Sequence, residues 1–131
     1  MKQLVCIVVV MLVVSRVQAE RPPQSREKAD LVVVGKVTKL ATKDATFGDD
    51  GTMTTYTATV KVDKVEKGKA GDTITVTWFR VTKSPSKPLP AAYGQDHKLK
   101  EKDTATFWLM EGGKDRWNVI YNSKGVEKAK E

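Results

Sequence analysis

One histidine is all the imidazole chemistry this chain can offer: His97, directly after Asp96. A serine nucleophile needs such a base, a group to orient it and a sharply turned backbone, yet no serine stands in a Gly-x-Ser-x-Gly setting. Cys6 is the sole cysteine, so a thiolate zinc centre has no ligand set. His97 is read as a solvated loop residue, with a place in a binding surface rather than in catalysis. Carboxylates are more plentiful. Asp44, Asp49 and Asp50 share one polar stretch, but they lack the alternating ladder and closing glutamate of a calcium loop. Asp63, Glu66 and Asp72 stand near turns, with nothing to pair two of them across a cleft as glycoside hydrolysis requires. Gly68-Lys69-Ala70-Gly71 has neither the spacing nor the helix of a phosphate loop. The expectation is a protein that is not an enzyme and takes no cofactor or metal.

Recognition chemistry remains. Trp78, Phe79, Trp108 and Trp117 fall in strand-like segments, and Tyr93 falls in a long irregular one. Exposed aromatics on a sheet face near lysines are what sugar or single-stranded nucleic acid binding uses. A small domain needs most of its large apolar side chains inside, so Trp78 and Phe107 are assigned to the core. Phe79 and Trp108 stand on the opposite faces from these neighbours and are expected to point outward. With Lys83, Lys87, Tyr93 and His97 from the irregular stretch, they make up the candidate binding residues. The chain carries 23 basic and 16 acidic residues, a net charge of +7. Its lysines, among them Lys36, Lys39, Lys43, Lys61 and Lys64, are mixed with acids along the chain, which reads as a solubilising surface rather than a polyanion site.

The elements that must position these groups are strands. Residues 53–65 alternate, with Tyr56, Ala58, Val60 and Val62 on one face and Thr55, Thr57, Thr59 and Lys61 on the other. The apolar series then steps by three to Val65, which predicts a bulge near Asp63 and Lys64. Residues 73–81 alternate in the same way around Ile74, Val76 and Trp78. A first strand is expected over 31–40, curved at Gly35, and two more over 104–110 and 117–121, joined through Gly112 and Gly113. Residues 41–52 read as a polar connection with Asp50-Gly51 as its turn, and 20–28 as a flexible lead-in ending in a short helical turn. The stretch 82–103 has no period and carries Pro85, Pro88 and Pro90. Loops this long are uncommon and are often functional, so it is the leading candidate for recognition. Residues 122–131 read as a charged, frayed tail.

At the start, Lys2 precedes an apolar run over 4–14 and a Val17-Gln18-Ala19 ending. This is the layout of a secretory signal peptide, over residues 1–19. The run is short of the ~20 residues a membrane span needs. The expectation is export to the periplasm or beyond, with no span left after cleavage and no nucleic acid as partner.

The order Ala29-Asp30-Leu31-Val32-Val33-Val34-Gly35-Lys36-Val37, Tyr56-Thr57-Ala58-Thr59-Val60, Val62-Asp63-Lys64-Val65-Glu66-Lys67-Gly68 and Gly71-Asp72-Thr73-Ile74-Thr75-Val76 resembles the netrin-like, or tissue-inhibitor-of-metalloproteinase-like (TIMP-like), module in its cysteine-free bacterial exported form. Phe107-Trp108-Leu109 and the Gly112-Gly113 hairpin fit the same order, so the resemblance spans 29–121. It implies an all-β fold, a small five-stranded barrel of the oligonucleotide/oligosaccharide-binding (OB) type. Its inhibitors chelate a protease zinc through an amino-terminal cysteine. Here the expected terminus is Glu20 with no cysteine after it, so that mechanism does not transfer. The leading expectation is a non-enzymatic module binding an extracytoplasmic protein through 82–103. The alternative is an oligosaccharide or polyanion held by lysines and aromatics on the barrel face.

Overall fold

The computed structural model describes residues 23–113 and 116–129. The leader expected over 1–19 lies outside the described residues. A single 3₁₀ turn, Arg26–Lys28, precedes six strands: β1 Leu31–Phe47, β2 Gly51–Lys67, β3 Thr73–Lys83, β4 Thr104–Glu111, β5 Arg116–Val119 and β6 Val126–Lys128. The turn begins where Ser25 accepts a hydrogen bond from the Glu27 amide, a serine N-cap.

Five of the strands form a ring. β1 pairs with β2 and β2 with β3, all antiparallel; β3 pairs in parallel with β5; β5 pairs with β4, and β4 returns to β1. Alternation explains the interior. Val33 and Val37 of β1, Ala58 and Val60 of β2, Ile74 and Val76 of β3, and Ala105, Phe107 and Leu109 of β4 are all buried in one cluster inside the ring. Trp78 and Phe107 are in it, as their strand positions require. A smaller cluster of Ala29, Val32 and Ile120, backed by Trp108 and Met110, sits on the other face of β1 and β4.

The expected bulge is present. Val34 pairs with Lys64 and the next residue, Gly35, with Val62, which leaves Asp63 as the extra residue on β2. At Gly35 a side chain would meet the Lys61 carbonyl at 2.7 Å, so the glycine is needed for close approach as well as for the bend.

Three expectations are corrected. β1 continues past Leu40 to Phe47, and the turn lies at 48–50, with Gly48 at φ +71° rather than at Asp50-Gly51. Residues 41–46 are exposed, so no apolar period marks them; their ladder to β2 holds them extended. The strand expected over 117–121 is Arg116–Val119. The expected frayed tail instead contains β6, which pairs Val126 with Phe107 and Lys128 with Ala105. Asp103 and Lys128 close that end with an ion pair at 3.2 Å.

The long stretch after β3 is also less free than its composition suggests. It doubles back on β3: the Val81 amide donates to the Tyr93 carbonyl, and the Gln95 amide donates to the Phe79 carbonyl. Gly94, at φ +81°, lies so close to the Phe79 carbonyl that a side chain there would collide with it. Further on, His97 and Leu99 are buried. Leu99 joins the core, and the His97 ring stands edge-on to Trp78, which itself stacks on Tyr56.

Candidate functional site

One edge of β3 is shared by two partners. Thr75 to Thr77 pair with β5, and Phe79 to Val81 take the returning stretch around Gly94. Between them, at Trp78, the edge passes from one partner to the other. A cleft of about 640 Å³ opens at that seam. Met53, Thr55, Thr77 and Phe79 line it from the sheet, Gln95 and His97 from the returning stretch, and Asn118 and Tyr121 from β5 and beyond.

Trp78, Phe79 and Tyr121 line this cleft; Phe79 is half-buried and the other two are buried. The Phe79 ring stacks on Tyr121 with centroids 6.3 Å apart and planes 21° apart. Around them stand hydroxyl and amide side chains: Thr55, Thr77, Gln24, Gln95 and Asn118. Several are held by bonds of their own. The Thr77 hydroxyl donates to Asn118 Oδ1 at 2.7 Å, and Gln24 Oε1 accepts from the Tyr121 amide at 2.8 Å. Among the described residues, neither lysine nor arginine lines the cleft, and the one carboxylate in the lining is Glu111.

His97 is not the solvated residue its loop setting suggested. It is 7% exposed, and its Nδ1 is buried without a hydrogen-bond partner. Burial drives its pKa down to about 4, against a smaller opposing pull from Asp96. The imidazole is therefore uncharged at neutral pH. Asp96 is itself engaged by Arg80 at 2.7 Å.

The six candidate residues fall into three places. Phe79 and His97 meet at the cleft. Lys83, Lys87 and Tyr93 gather near the β1–β2 turn instead. There the Tyr93 ring stands edge-on to Phe47, its hydroxyl accepts from the Leu89 amide, and Lys87 lines a smaller hollow of about 310 Å³ with Asp50 and Ser86. Ser86 donates to Asp50 through both hydroxyl and amide. With Lys83 nearby, these bonds hold the Asp50 carboxyl below its usual range. Trp108 lies apart from both groups, on the Ala29 and Ile120 side, with the Arg26 guanidinium over its ring.

Tyr121, Gln24, Gln95 and Asn118 carried no signal as site residues in the sequence. Only the register of β5 against β3 brings Asn118 to Thr77, and Tyr121, two residues beyond β5, stacks on Phe79. Among the described residues, no three His, Cys, Asp or Glu side chains come together as a metal site, and no helix is long and apolar enough to cross a membrane.

No protein-family model matches this chain, and neither a curated protein nor a solved structure is similar to it at a significant level. The TIMP-like resemblance therefore stands on the quoted residues alone.

Proposed function

We propose that this chain is an exported, non-enzymatic binding module that holds an oligosaccharide in the cleft between β5 and the returning stretch. The observation that carries this reading is the half-buried Phe79 ring, backed by Tyr121 and set among hydroxyl and amide side chains, with no basic group in the lining among the described residues. A sugar ring offers apolar C–H faces to an aromatic and hydroxyls at its rim to amides and hydroxyls. A polyanion alone would ask for cations, and the described lining holds none. The ring of five strands, closed through a parallel β3–β5 pair, supports reading the fold as an OB-type barrel, a fold class that binds oligosaccharides on the face of its second and third strands.

A protein partner held by 82–103 is the second reading, favoured by one observation: Lys87, Pro88 and Pro90 at the tip of that stretch are exposed. Its anchors Pro85, His97 and Leu99 are buried, however, which leaves less of it free than recognition by the whole loop requires.

The test is a glycan array probed with the chain from residue 20 to 131, repeated with Phe79→Ala. Selective glycan binding that drops about fivefold or more in the variant supports the cleft, taking the order of 1–3 kcal/mol that an aromatic contributes when a base stacks on it as the scale for a sugar ring. Binding indifferent to Phe79 would move the site elsewhere.

A further inference from the structure

We infer that the bound sugar chain is an anionic polysaccharide, whose carboxylates or sulfates lie on a ladder of lysines beside the cleft. This rests on the oligosaccharide reading of the cleft and names the class of its ligand. The sequence scatters these lysines among acids, but the strand register gathers them.

Val37 and Val60 are paired and both face the core, so their neighbours Lys36 and Lys61, also paired, both face outward. After the extra residue Thr38, Lys39 pairs with Thr59, Ala41 with Thr57 and Lys43 with Thr55, on that same outward face. The rows continue across β3: Thr59 to Thr75, Thr57 to Thr77, and Thr55 to Phe79. Lys43, Thr55 and Phe79 therefore form one cross-strand row that ends in the cleft. With neighbouring strands about 4.8 Å apart, Lys43 sits roughly 10 Å from Phe79, and the ladder runs roughly 20 Å along β1.

Among the described residues, no ion pair neutralises this ladder. The three ion pairs among the described residues are Arg26–Glu127, Arg80–Asp96 and Lys128–Asp103, and none involves Lys36, Lys39, Lys43 or Lys61. Glu101 accepts from the Leu40 amide and Asp44, on β1 itself, accepts from the Thr54 hydroxyl; neither is ion-paired with a lysine of the ladder. Lys36 directly opposite Lys61 is a like-charge pair, which destabilises a sheet. An anion laid along the row removes that repulsion.

The surroundings choose among polyanions. A membrane surface needs apolar side chains to insert beside the cations, and the groups that flank this ladder are Thr38, Thr57, Thr59 and Ala41. Single-stranded nucleic acid needs successive aromatic platforms interleaved with the cations, and the rows between the lysines and Phe79 are threonines. A hydroxyl-lined path from a cationic rail to one aromatic pair fits a sugar polymer with repeated acidic groups.

The experiment titrates the 20–131 chain at low and high salt with a polyuronic acid oligosaccharide, a sulfated oligosaccharide, and the carboxyl-reduced neutral counterpart of the first. Single-stranded DNA, inorganic polyphosphate and phosphatidylglycerol vesicles serve as competing polyanions. At low salt at least one acidic sugar is expected to bind about tenfold or more tighter than the neutral one, as four exposed charge contacts of modest individual strength imply, with the gap closing at high salt. The variant combining Lys36→Gln, Lys39→Gln, Lys43→Gln and Lys61→Gln is expected to bind the neutral sugar as before and to lose the acidic preference. Because all four side chains are exposed, its melting temperature should hold, and that is measured alongside. Neutral binding with no acidic preference, a preference that survives the four substitutions, or tighter binding of DNA, polyphosphate or vesicles than of either acidic sugar would each overturn the ladder as a polysaccharide site. Acidic binding that ignores Phe79→Ala would instead overturn the cleft and leave the ladder standing. Binding of no sugar at all would overturn both.

Discussion

The guanidinium of Arg26 lies 3.7 Å from the centre of the Trp108 ring. The same side chain donates to the Lys124 carbonyl at 2.8 Å and pairs with Glu127 at 3.3 Å. One cation thus ties the lead-in to β4 and to the segment carrying β6, and it covers the aromatic expected to face solvent. Replacing Arg26 with Ala is expected to destabilise the fold by about 1–2 kcal/mol, combining an exposed cation–π contact with a surface ion pair. Chemical denaturation reads the loss, and a red shift in Trp emission reads the uncovered ring. Lysine should restore only part of it, because it lacks the flat guanidinium that stacks.

His97 makes stability depend on pH in a stated direction. Its folded pKa, about 4, is below the ordinary imidazole value of 6.5, so between these values the unfolded chain binds the proton and the folded one does not. The contribution is complete above about pH 6.5 and is lost as pH falls towards 4, roughly 3 kcal/mol across the window. Urea midpoints at pH 7, 5.5 and 4.5 should fall in that order. In His97→Phe, which keeps a ring against Trp78 and removes the titrating group, the decline should flatten. An unchanged decline would assign the pH dependence to other groups.

Gly94 sets how closely the returning stretch approaches β3. Its φ of +81° and the adjacent Phe79 carbonyl leave no room for a side chain. Gly94→Ala is expected to cost about 2 kcal/mol or more through backbone strain and collision. Amide exchange should rise first at Val81 and Gln95, whose hydrogen bonds this contact holds.

Much of the ring was legible from alternation. Val60, Ile74, Val76, Phe107 and Leu109 each announce an inward face, and the step from Val62 to Val65 announced the bulge at Asp63. Residues 41–46 were not legible as strand because both of their faces meet water, so the ladder leaves no apolar trace. β6 was missed for a related reason: Val126 is its one apolar residue, and the strand exists because β4 offers an edge. The cleft was half legible. Phe79 stood out as an aromatic on the wrong face for the core, whereas Tyr121 and Asn118 reach it only through pairings between strands distant in sequence. His97 was misplaced because the polar residues around it hid a short alternation in which His97 and Leu99 both turn inward.

The pairing of Leu31 with Leu109 and of Lys36 with Thr104 carries one more consequence. The hairpins β1–β2 and β2–β3 join neighbours along the chain and can form early. The contact that closes the ring cannot, because nearly the whole of β2, β3 and the long connection must first be threaded between its two sides. Contacts so far apart in sequence slow the search for the native state, as in other β domains of high contact order, which fold in about milliseconds to seconds. Stopped-flow refolding should therefore be slow for a domain of this size. Weakening the seam with Leu109→Ala should lower the folding rate if closure is already made in the transition state, and raise the unfolding rate if closure comes last.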